Sequence, residues 1–194
     1  MLSKTPILAA AIAAVSTSPA WADTTVNDLI GQWQTPLSEQ QAPGGGASAF
    51  LRQTVVFTAD RQDIRAEIFA DAAGAMPLFT YASSGPYVPV GASDVIDGAL
   101  NLELVNDRSE VTIFADVPEL MAAVGMGDCA LVLDTPVDVT NCISGPPFLV
   151  TDCTDLDLVL VDAAGQRLRF GDQSVDRCVE RPTVLDATAF QKVE

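Results

Sequence analysis

The sequence contains no histidine. That absence removes the commonest general base, the Ser–His and Cys–His nucleophile pairs, and most zinc and copper sites. Lysine is nearly as scarce, with Lys4 and Lys192 at opposite ends of the chain, so a lysine nucleophile has no natural place. Basic residues number 10 against 26 acidic ones, a formal net charge of −16. Such a surface repels nucleic acid and anionic membrane faces, and neither is expected as a partner. No apolar run reaches the roughly 20 residues needed to span a membrane. What is left for catalysis is carboxylate chemistry. Glu67 and Glu103 lie on predicted strands where a solvated face explains them better than a glycosidase pair. The chain is therefore expected not to be an enzyme, and no cofactor is implied.

The first residues carry one charge, Lys4, followed by an apolar run from Ile7 to Val15 and then Ala20-Trp21-Ala22. This pattern reads as a secretory signal cleaved after Ala22. Residues 23–194 then form one domain, acidic, exported and periplasmic or secreted. Loss of Lys4 takes the charge from −16 to −17. Four cysteines, Cys129, Cys142, Cys153 and Cys178, are an even number suited to two disulfide bonds in an oxidising compartment. Of three connectivities, the local closures Cys129–Cys142 and Cys153–Cys178 are favoured. Without a C-x-x-C pair, a zinc site is not expected.

Strand signals dominate the remainder. Leu29-Ile30-Gly31-Gln32-Trp33 suggests a tight glycine turn and an indole that plugs a closing sheet. Residues 24–30 before it read as a short strand or turn. Residues 34–48 hold Pro36, Pro43 and Gly44 to Gly46 and read as a loop at a barrel mouth. Leu51, Gln53, Val55 and Phe57 alternate with Arg52, Thr54 and Val56, and Ile64, Ala66 and Ile68 alternate with Arg65 and Glu67, which predicts a hairpin over 50–69. A second hairpin is expected to join 99–105 to 110–115 through Asn106-Asp107-Arg108-Ser109, with Leu100, Leu102 and Leu104 facing inward. Asp116-x-x-Glu119 with Pro118 predicts a short helix over 118–124, stopped at Gly125. Strands are expected over 130–133, 137–140, 157–161 and 166–170, and a second helix over 185–191. About eight or nine short strands with one or two helices predict an all-β fold, an antiparallel β-barrel that is lipocalin-like or half-open.

A barrel of about eight strands holds either a packed interior or space for one apolar ligand. The candidate pocket residues are Trp33, Phe50, Arg52, Phe57, Phe69, Phe79, Tyr87 and Phe114, on the strands that would form the wall. Tyr81 belongs to the same aromatic set. Asp152, Asp155 and Asp157 form an acidic cluster beside Cys153, but without the alternation of a calcium loop, so no metal is assigned. The expected function is lipid-binding: an exported protein that holds a lipid, acyl chain or other apolar small molecule. The alternatives are a solid barrel whose acidic loops bind a protein partner, and a carboxylate-based hydrolase.

Several of these segments, taken in order, resemble the APCDDC domain of adenomatosis polyposis coli down-regulated proteins. They are Leu29-x-Gly31-x-Trp33, Phe50-Leu51-Arg52, Phe57, Phe69-Ala70-Asp71, Pro77-Leu78-Phe79, Gly85-x-Tyr87 and Val137-Asp138-Val139 before Cys142. Near the end come Asp157-Leu158-Val159, Phe170-Gly171-Asp172 and Arg181-Pro182-Thr183. Two family cysteines are missing together, where this chain has Ser38-Glu39 and Gly74-Ala75. The resemblance implies a single-domain exported form, a β-barrel with an apolar pocket suited to an acyl chain, and matched positions at Trp33 and Arg52. Arg52 is expected to cap the indole or to meet a carboxylate.

Overall fold

A computed structural model describes residues 23–41, 48–143, 153–162 and 164–194. The signal segment, Gly44 to Gly46 and Asp152 lie outside them. The chain enters through a one-turn helix α1 (Val26–Leu29) and β1 (Gly31–Gln34), then β2 (Ser38–Gln40). Next come β3 (Ala49–Phe57), β4 (Arg61–Phe69), β5 (Pro77–Ala92) and β6 (Leu100–Leu104). An excursion through β7 (Arg108–Ile113), helix α2 (Pro118–Ala123) and β8 (Val137–Asp138) follows. The chain finishes with β9 (Asp155–Val161), β10 (Arg167–Phe170) and β11 (Phe190–Lys192).

Eight strands close into a ring in the order β1, β3, β4, β5, β6, β9, β10, β11 and back to β1, and every pair in it is antiparallel. The fold is an all-β, up-and-down antiparallel barrel, as the strand pattern predicts, and of the lipocalin-like and half-open forms it is the closed one, with β2, β7 and β8 added outside the ring. Closure removes the unpaired edges that an open sheet would expose.

The chain turns into β1 at Gly31, whose φ of +125° most side chains would not tolerate. Trp33 is then fully buried, and its indole N–H donates to the Leu29 carbonyl at 2.7 Å. Around it pack Leu29, Val55, Phe57, Leu102, Val161 and Leu168, so one end of the barrel is solid. A second cluster of Phe79, Tyr81, Val111, Met121, Val124 and Met126 lies under the excursion, on the projecting halves of β4 and β5. Disulfides join Cys129 to Cys142 and Cys153 to Cys178.

Local structure departs from expectation in six places. Residues 24–30 hold a helical turn, because the Thr25 hydroxyl and amide both donate to Asp28 and cap it. The loop over 34–48 contains β2, paired to β3. The hairpin between 99–105 and 110–115 does not form. β5 is one 16-residue strand, pairing with β7 over its first half and with β6 over its second. Both partners therefore lie along the same edge, as one strand interrupted at 105–107. The ladder continues through the interruption, with Val105 donating to Pro86 and Asp107 to Ser84. A Cβ on Gly85 would sit 1.7 Å from the Val105 carbonyl oxygen, so glycine there permits the close approach.

Helix α2 falls as predicted and ends before Gly125, but its N-cap is Val117, and no Asp116 side chain caps it. Residues 130–133 make isolated bridges, not a strand, and 185–191 forms no helix: Leu185 bridges Gly171, and Phe190 opens β11. The apolar residues there are needed to close the ring and cover β9. No described helix is long and apolar enough to cross a membrane.

Candidate functional site

Above the solid end the barrel is hollow. A cavity of about 440 Å³ opens there, in the range of small-molecule sites. Its wall is the inner face of the three longest strands. Strand alternation aims Leu51, Gln53 and Val55 of β3, Ile64, Ala66 and Ile68 of β4, and Phe79, Tyr81 and Ser83 of β5 at the space. Leu120 of α2 and Val124 at its C-cap close one side, because the excursion folds back across the projecting sheet. The floor is aromatic. Phe170 and Phe190 line it and meet edge to face at 5.4 Å, and Phe170 stacks at 6.3 Å on Phe57, which meets Tyr87 edge-on at 5.3 Å.

Of the eight residues singled out in the sequence, Phe50 and Phe79 line the cavity. Trp33, Phe57 and Tyr87 belong to the packed end below it, and the Tyr87 hydroxyl donates to the Thr58 carbonyl at 2.8 Å. Arg52 meets a carboxylate, Glu67, at 2.9 Å, and its guanidinium lies 5.3 Å from the ring centre of Phe69. The cation over Trp33 is Lys192, at 4.9 Å, because β11 pairs beside β1 and sets Lys192 opposite the indole. Phe114 is 37% exposed, just beyond β7. Glu67 is thereby tied to Arg52 on a part-exposed face.

The cavity also has a charged corner, formed by residues that composition and spacing did not single out for the site. The strand β9 reads Asp-Leu-Asp-Leu-Val-Leu-Val, and alternation places Asp155 and Asp157 on the same face as Val159 and Val161, which point into the packed core. Both aspartates line the cavity, 2% and 0% exposed. Arg177 reaches them from the loop after β10. The Cys153–Cys178 disulfide fixes that loop beside the start of β9, and the Leu156 amide donates to the Arg177 carbonyl at 2.9 Å.

The two carboxylates are held very differently. Asp157 accepts from Arg177 Nη1 at 2.6 Å, from its neighbour Leu158 at 2.7 Å and from the Gly171 amide at 3.0 Å. Its main-chain carbonyl and that of Leu102 accept from Arg181. The segments Phe170-Gly171-Asp172 and Arg181-Pro182 thus meet at Asp157. Burial pushes Asp157 upward from the ordinary carboxylate range, and these donors oppose the push. Asp155 lacks them. Arg177 Nη1 lies 3.2 Å from Asp155 Oδ2 without hydrogen-bond alignment, and neither oxygen accepts a hydrogen bond from a described residue. Burial, set against the pull of Arg177, raises Asp155 to about 7.

Fold and cavity together define the class of protein: an up-and-down antiparallel β-barrel, plugged at one end, hollow at the other and stapled by two disulfides. No protein-family model matches the chain, and no curated protein matches its sequence. No group of three Asp, Glu, Cys or His side chains among the described residues is arranged to hold a metal ion.

Proposed function

We propose that this is an exported, non-catalytic binding protein that holds one apolar molecule in its barrel. The observation that carries the reading is the cavity of about 440 Å³, walled by Leu51, Ile64, Ala66, Ile68 and Phe79 and set above an aromatic floor of Phe170 and Phe190. An apolar chain placed there would leave water for a surface of matching character. Two disulfides fit an extracellular or periplasmic setting. We extend the proposal to kinship with the APCDDC domain, whose ordered motifs the chain resembles.

Native mass spectrometry of the protein incubated with 1-dodecanol tests the reading. One adduct per chain is expected, and the variant Ala66→Phe, which sends a ring into the cavity, is expected to lose it while keeping its fold. A protein that takes up no chain-bearing molecule at all overturns the proposal.

A further inference from the structure

We infer that the molecule held in the cavity is an apolar cation, a hydrocarbon bearing a protonated amine, seated with its ammonium on Asp155 and its chain along Ile64, Ala66, Ile68 and Phe79. The inference rests on the binding reading above and narrows it to a ligand class.

Asp155 is 2% exposed, lines the cavity and has neither oxygen hydrogen-bonded to a described residue. A buried acceptor without a donor is costly, and a ligand that brings the donor recovers that cost. Arg177 Nη1 stands 3.2 Å from Asp155 as an ion pair, but its hydrogen bond goes to the other carboxylate. Arg177 is hydrogen-bonded to Asp157, and Arg181 donates to the main-chain carbonyls of Leu102 and Asp157.

The other polar side chains on the lining include Gln53, Ser83, Gln173, Asp186 and Thr188. None carries positive charge. Among the described residues, the only cation on the lining is therefore Arg177, hydrogen-bonded to Asp157 and shared as an ion pair with Asp155. A carboxylate-headed molecule would have to break that pair or lie against Asp155 and Asp157. An ammonium meets a carboxylate that is ion-paired to Arg177 at 3.2 Å but accepts no hydrogen bond, and it gains a charge-assisted hydrogen bond in a site of low dielectric. The net charge of −16 adds a long-range field that draws cations toward the mouth and turns anions away.

Three molecules with the same chain and different heads separate this inference from the reading beneath it. Dodecylamine, 1-dodecanol and dodecanoate are titrated into the protein below their aggregation concentrations, in buffer with about 0.15 M salt to screen the outer surface. Calorimetry reads affinity and stoichiometry. Dodecylamine is expected to bind at one site per chain, about tenfold or more tighter than dodecanoate. The substitution Asp155→Asn is expected to remove most of that preference and to leave 1-dodecanol binding as it was. Dodecanoate binding as tightly as dodecylamine, or an amine preference untouched in Asp155→Asn, overturns the cationic ligand while leaving an apolar pocket standing. If none of the three binds, both the ligand class and the binding reading fail. The comparison of heads on the unaltered protein keeps the test decisive even if the variant folds poorly.

Discussion

Asp155 and Asp157 stand two residues apart on one strand face, yet they do opposite things. Asp157 is the hub of a satisfied network, a structural tie between β9, β10 and the Arg181 turn. Asp155 is left over, and its raised pKa makes it a proton sink of the folded state. An acid whose pKa climbs from 3.8 unfolded to about 7 folded lowers stability as pH rises through that window, then leaves it flat above. The size is on the order of 4 kcal/mol at most, by the usual 1.4 kcal/mol per unit. Urea unfolding at pH 5 and pH 8 should show the unaltered protein losing stability at the higher pH and Asp155→Asn losing much less. Equal slopes for both proteins would show that Arg177 compensates Asp155 fully. Asp28, Asp138 and Asp172 act in the other direction. Hydroxyl donors Thr25, Thr140 and Ser174 hold them below the ordinary range, so their contribution disappears as pH falls through their lowered values. The two effects occupy different parts of the pH axis. In the sequence Asp155 and Asp157 are visible only as part of an acidic cluster. Their inward aim depends on the partner strands of β9, and their counter-ion is brought by a disulfide from 20 residues further on.

At the scale of elements, the disulfide Cys153–Cys178 ties a loop to a strand, and the loop carries the arginine. Replacing both cysteines with serine should cost about 3 kcal/mol, from the chain entropy of closing a loop of that length. It should also loosen Arg177 from Asp157, which measured affinity for 1-dodecanol and dodecylamine would register as a change in head-group preference. Removal of Cys129 and Cys142, far along the excursion, should cost similar stability without altering that preference. Strands that follow plain alternation are legible from residue order alone. Leu51, Val55 and Phe57 against Ile64, Ala66 and Ile68 mark the β3–β4 hairpin, and the short-range cysteine spacings favour the pairing that forms. The β6–β7 pair misleads because buried positions run Leu100, Leu102, Leu104 and then shift to Ser109 and Val111. A bulge that exchanges the two faces of one strand and a turn that joins two strands leave the same local trace. Only β5, long enough to pair with both, tells them apart.

For the whole molecule, the balance of charge matters more than any one ion pair. Exposed pairs such as Arg61–Asp107 and Arg108–Glu110 contribute little in water. Sixteen excess negative charges, by contrast, repel one another over the surface of a compact barrel. Raising NaCl from about 0.05 to about 0.5 M shortens the reach of that repulsion to a few ångströms, roughly 4 Å. The thermal midpoint should therefore rise with salt over that range. A midpoint that falls would mean that the surface pairs outweigh the repulsion. The barrel class is legible at this scale because turn signals divide the chain into many short strands. The hollow is not, since Phe57 and Phe79 look alike in sequence, and only their heights in the barrel decide which packs the plug and which faces empty space.

The ring is sealed where Gly31–Gln34 meets Phe190–Lys192, the first strand of the barrel against the last. Closure of this kind has an order in time. Until β11 is made, Trp33 lacks one wall of its pocket and Lys192 is not yet over its ring. β1 and β10 also keep open edges, and the longest loop in the chain is still to be closed. The barrel is therefore closed only when β11 pairs with β1.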